Sequence, residues 1–193
     1  MKKFYVMMVG MLLTAISGFA QDYKTNYTAD DKSEHSSRYP SSVMVTSPEY
    51  GQQTVDWATG TGHALFTDAT ASEVTVATGE EIQLTVTYTG TWMSAYVYID
   101  LDNDKQFSND VDETNHKALE GSDLVSWSCY SFDSEASEDP GWNSVGTQIT
   151  GSARSTVNCP KFKAPATPGT YRVRVKIDWN DIDPAGAVSG HLG

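Results

Sequence analysis

The chain has 193 residues, is 39% hydrophobic and 20% charged, and carries a formal net charge of −12. A surface this acidic repels nucleic-acid backbones and anionic lipid, so neither is an expected partner, and it suits divalent cations. The length suffices for one domain with a sizeable core.

Lys2 and Lys3 precede the apolar run FYVMMVGMLLTAIS, and Gly18-Phe19-Ala20 offers small residues for cleavage before Gln21. Residues 1–20 therefore read as a secretory signal peptide, which places the mature chain outside the cytoplasm, secreted or at the cell surface. The run is too short for a comfortable membrane-spanning helix and no second one follows, so no transmembrane segment is expected after cleavage. Losing the two lysines takes the net charge from −12 to −14. Residues 21–40 are polar and aperiodic and read as an N-terminal arm or linker.

From residue 41 the pattern is short strands between turn residues. VMVT (43–46), HALFTD (63–68) and EVTVAT (73–78) are strand candidates. IQLTVTY (82–88) alternates cleanly, with Ile82, Leu84, Val86 and Tyr88 on one face. That is the signature of a half-buried strand with one wet face. In MSAYVYID (93–100), Ala95, Val97 and Ile99 face one way and Tyr96, Tyr98 and Asp100 the other. LVSWSCYSF (124–132) follows, and then a long polar connection over 133–155. In YRVRVKID (171–178), Tyr171, Val173, Val175 and Ile177 are expected inside, and Arg172, Arg174, Lys176 and Asp178 outside. No window has a helical period. The fold class expected is all-β, an antiparallel β-sandwich over 41–193. Cys129 and Cys159 can pair in an exported protein; the alternative is two buried thiols whose strand geometry forbids a bond.

WMSAYVYIDLDNDKQFSNDVDE together with FKAPATPGTYRVRVKIDWNDIDPAG resembles the GEVED domain family of secreted bacterial proteins. The family pattern is a strand entering an Asp-x-Asn/Asp-x-Asp loop, then an apolar-x-Pro turn, an Arg-rich strand and a closing strand with a Gly-Glu-Val-Glu-Asp motif. The resemblance covers roughly residues 85–186 and implies a β-sandwich module within a larger multidomain extracellular protein. The closing strand and its motif are missing before Gly193, so the sequence reads as a fragment that lacks its last strand. A branch of the family without that strand is the alternative.

Chemistry concentrates in YVYIDLDNDKQF. Asp100, Asp102 and Asp104 stand at every second position, as the first ligands of a calcium loop do, and Glu113 could close the shell. Lys105 stands where an EF-hand loop requires glycine, and the preceding element is a strand, so an orthodox EF-hand is excluded. Two readings remain: a strand-borne calcium loop, or an Asp/Asn-rich turn whose side chains cap local N–H groups. Ile177 to Asp183 repeats the pattern; a shared cation site requires both loops at one end of the sandwich.

Trp142 in the polar connection and Tyr98 beside the acidic loop are the ligand-binding candidates, with an extracellular glycan or protein as the partner. No Gly-x-Ser-x-Gly elbow is present. Acids in solvated, charge-dense loops lack the setting that raises the pKa of a general acid. The reading is thus a non-catalytic secreted accessory or binding module that recognises carbohydrate. A spacer or adhesin module without a small ligand is the first alternative, and a glycoside hydrolase using the acidic loops the second.

Overall fold

Alternation sets the first sheet. The computed structural model describes residues 38–56, 67–90, 93–112, 114–129, 141–149 and 155–179. Strands β1 (Tyr39–Ser47) and β2 (Gly51–Asp56) form a hairpin, and β3 (Glu81–Thr89) pairs antiparallel with β1 on its other side. Val43, Val45, Ile82, Leu84, Val86 and Tyr88 all point to one buried face, as the period of two predicts. The second sheet begins with β4 (Met93–Ile99). The small strands β5 (Val111–Asp112) and β6 (Lys117–Ala118) pair with each other, and β7 (Leu124–Ser128) then pairs with β4. β8 (Gly141–Trp142) and β9 (Gln148–Ile149) make a short hairpin. β10 (Thr156–Asn158) and β11 (Phe162–Lys163) pair successive stretches of β3, and β12 (Val173–Trp179) pairs with β4.

The result is an all-β, antiparallel sandwich. A five-stranded sheet (β10-β3-β1-β2, with β11 also on β3) faces a three-stranded sheet (β12-β4-β7). Met93, Ala95, Val97 and Ile177 of the second sheet pack on the valines and leucines of the first. No helix among the described residues is long and apolar enough to cross a membrane.

The second sheet is buried on both faces along β4, whereas Val173 at the start of β12, expected inside, is 45% exposed. Every residue of β4 is buried. The outer face carries Tyr96, Tyr98, Leu124, Trp127 and Cys129, and Phe107, Val111 and Ala118 cover it. Lys176 and Asp178, expected outside, are therefore 6% and 0% exposed, with Nζ 2.6 Å from Oδ2. Alternation places them on the correct face, but Phe107, Val111 and Ala118 pack on the aromatic layer of that face and turn it into an interior. The hairpin docks tightly: a Cβ on Gly146 would lie 2.6 Å from the Asn115 carbonyl oxygen. Only glycine, at φ 76°, fits there.

Several expectations change. EVTVAT is extended but joins no ladder; the Gln53 side chain serves both its groups, accepting from Thr75 N–H at 2.9 Å and donating to Thr75 O at 2.6 Å. Of HALFTD, residues 63–66 lie outside the described residues, and Thr67 and Asp68 are not in a strand. The signal peptide and most of the polar arm also lie outside them. Cys129 and Cys159 are separate buried thiols, not a disulfide. Cys129 sits in the outer aromatic layer with its Sγ 3.3 Å from Tyr96 Oη, whereas Cys159 packs in the core between the sheets. Burial, and secondarily the neighbouring Cys129, pushes the Cys159 thiol up to about 12, so it is inert at neutral pH.

Glu80 staples the hairpin to the core sheet. Ser47 Oγ (2.6 Å) and Ala77 N–H (2.7 Å) donate to its Oε1, and Glu49 N–H donates to its Oε2 (3.2 Å). Partial desolvation works to raise its pKa, but the bonds from Ser47, Ala77 and Glu49 outweigh it and hold the group below 4.5. A carboxylate with a depressed folded-state pKa stabilises above its unfolded value and loses that contribution as pH falls through the folded one. Denaturant melts of the wild type and Glu80→Gln should therefore differ at neutral pH, the gap narrowing as pH falls below 4.5 and closing only beneath the lowered folded-state value.

Candidate metal centre

Strand β4 ends at Ile99 because the chain must turn, and the turn is built from its own carboxylates. Asp102 Oδ1 accepts from Asp104 N–H at 3.1 Å, and Asp104 Oδ1 from Gln106 N–H at 2.7 Å. These are two successive Asx turns. Asn103 and Lys105 take φ of 59° and 69°. Lys105 thus adopts the left-handed conformation that a glycine would supply, at a cost of roughly 1–2 kcal/mol. Its N–H donates to Asp100 Oδ2 at 3.2 Å, which closes the loop. The lysine does not prevent the calcium-loop bend; it occupies it.

The loop is then pinned to β7 by an acid that sequence reading missed. Asp123 Oδ1 accepts from Leu101 N–H at 3.0 Å, and its Oδ2 accepts from Ser108 N–H at 2.8 Å and Ser108 Oγ at 2.9 Å. Carboxylate oxygens of Asp100, Asp102 and Asp123 all lie within 4.8 Å of one another. Asp100 is 1% and Asp123 5% exposed, while Asp102 opens to solvent.

This set fits a hard divalent cation. Oxygens 2.3–2.6 Å from a common ion lie no more than about 5 Å apart, and calcium takes six to eight of them. The cluster concentrates negative charge, which a bound cation would offset.

The expected ligand set is corrected in one place. Asp104 turns outward, its Oδ2 accepting from Gln106 Nε2 at 3.3 Å, and Asp123 replaces it. Glu113 lies outside the described residues. The only local hint of Asp123 was an acid directly before the apolar strand LVSWS, and nothing in spacing connects it to a loop over 20 residues upstream. Among the described residues, the second acidic stretch shares no site with the first. Antiparallel pairing sets Val173 opposite Ile99 and Trp179 opposite Met93, so β4 and β12 end at opposite ends of the sheet. Asp178 belongs to β12 and pairs with Lys176; residues 180–183 lie outside the described residues.

The aromatic candidates are not an open platform. Tyr98 is 4% exposed and packs edge-on to Phe107 at 5.8 Å, so it presents no free face to a ligand. Arg174 covers that Phe107 ring at 4.2 Å. Trp142 is half-buried, with the His116 ring stacked on it at 4.3 Å and 15°. No family model, curated protein or solved structure matches the chain.

Proposed function

We propose that this chain is an exported, non-catalytic β-sandwich module of the GEVED type, serving a larger extracellular protein, whose acidic loop holds a divalent cation of the calcium class. The observation that carries the reading is the convergence of Asp100, Asp102 and Asp123 within 4.8 Å at the end of β4. Calcium would tie the β4 loop to the start of β7 and so brace one end of the sandwich. A hydrolytic role for these acids is the weaker reading. Asp100 and Asp123 are almost wholly buried, and Asp123 is spent on backbone N–H groups, so neither reaches a glycosidic bond.

Titration calorimetry of the mature chain with calcium tests this directly, and one site is expected. Calcium at a hundred times its Kd should stabilise by about 2.7 kcal/mol, which raises Tm by about 5–10 °C over a chelator control. Asp102→Asn should weaken binding at least tenfold with little change in the chelator Tm, since its side chain is exposed. No heat and an unchanged Tm at millimolar calcium would sink the cation reading and leave the spacer role standing.

A further inference from the structure

The outward face of the five-stranded sheet carries uncharged polar side chains across its central rows. Thr54, Met44, Thr85 and Asn158 stand in register across four strands and face away from the core. The next row is Gln52, Thr46 and Gln83. All are exposed or half-buried. The patch is bounded by Asp56 at one corner and, at the other end, by Glu81, which stands opposite Lys163 and has Lys161 Nζ 3.6 Å from its Oε1. Strands 4.7–4.9 Å apart, with rows two residues apart, make this a regular array about 14 Å wide.

The array is pre-ordered. Thr85 Oγ1 donates to Asn158 Oδ1 at 2.7 Å, which leaves the Asn158 NH₂ group directed for donation. Gln83 Nε2 donates to the Cys159 carbonyl at 3.0 Å, which leaves its Oε1 as a fixed acceptor on the adjacent strand. Fixed donors and acceptors lose little side-chain entropy on binding. Nucleic acid and anionic polymers are repelled by the rest of the surface. An apolar protein interface would need aromatic anchors, and neither of these two rows carries one.

The geometry points to the outer face of the β10-β3-β1-β2 sheet as a binding surface for a neutral, hydroxyl-rich polymer, a neutral polysaccharide chain. A polymer of hydroxyls meets alternating donors and acceptors here, without desolvating any charge. The surface is separate from the cation loop and does not depend on it.

Affinity electrophoresis of the mature chain through gels containing β-glucan, xylan, mannan or starch tests the inference, with alginate as the anionic control. Retardation by at least one neutral polymer is expected, equal in calcium and in chelator, and none by alginate. Thr54→Lys with Thr85→Lys should weaken it at least tenfold, while Trp142→Ala leaves it unchanged. Should the lysine pair fail to fold, Gln52→Ala with Asn158→Ala, both at exposed positions, should weaken it several-fold. No retardation by any neutral polymer overturns the inference. So does retardation that survives the face variants, or that requires calcium, which would assign it to the loop instead.

Discussion

Replacing Asp123 with alanine should destabilise the protein by about 3–5 kcal/mol and abolish cation binding at the same time. The carboxylate is 5% exposed and accepts from Leu101 N–H, Ser108 N–H and Ser108 Oγ. A hydrogen bond to a charged group contributes about 1.5–3 kcal/mol, and removing the acceptor leaves buried donors unsatisfied. The bonds share one carboxylate, so their contributions do not add fully. Asp123→Asn keeps the shape but turns an NH₂ toward one donor, and a loss of about half that size is expected. Equilibrium denaturation in chelator isolates the structural part, and calorimetry reads the binding part. Were Asp123→Ala to melt with the wild type in chelator, the carboxylate would not be the pin that joins the β4 loop to β7.

Breaking the Lys176–Asp178 pair from either side should cost a comparable amount. The two groups are 6% and 0% exposed and 2.6 Å apart, with the Lys176 ammonium also 5.4 Å from the Tyr96 ring. Removing one partner of a buried ion pair leaves the other charge uncompensated, at about 3–5 kcal/mol. Lys176→Met and Asp178→Asn should therefore each lower Tm by about 10 °C. Lys176→Met with Asp178→Val should recover much of that loss, because a pair of apolar residues of similar volume needs no charge compensation. Denaturant midpoints of the three variants decide it. Single variants within 1 kcal/mol of the wild type would mean that water reaches the pair.

Asp100, Asp102 and Asp104 were legible as a metal-type spacing, and Lys105 excluded an orthodox EF-hand while leaving a strand-borne loop open. Yet a lysine at φ 69° costs only roughly 1–2 kcal/mol, which the bond from its N–H to Asp100 offsets. Asp104 satisfied the sequence spacing but spends its oxygens on Gln106.

Alternation along the strands was sufficient to establish the all-β class, the positions of β3, β4 and β12, and most side chains of the core between the sheets, Val173 being the exception. A period of two is a local property, and burial on one face is its direct consequence. Short strands with little periodicity were invisible for the same reason: β2 in GQQTVD pairs with its hairpin neighbour β1, and the β8–β9 hairpin is fixed by bridges to Lys117 and Ser128. Sequence also identified Lys176 and Asp178 as sharing a face. It could not say that Phe107 and the β5–β6 segment would cover that sheet and make its wet face an interior. The third carboxylate of the acidic cluster was equally out of reach. Asp123 meets Asp100 only because β7 pairs antiparallel with β4, a contact between residues more than 20 positions apart that no spacing rule encodes.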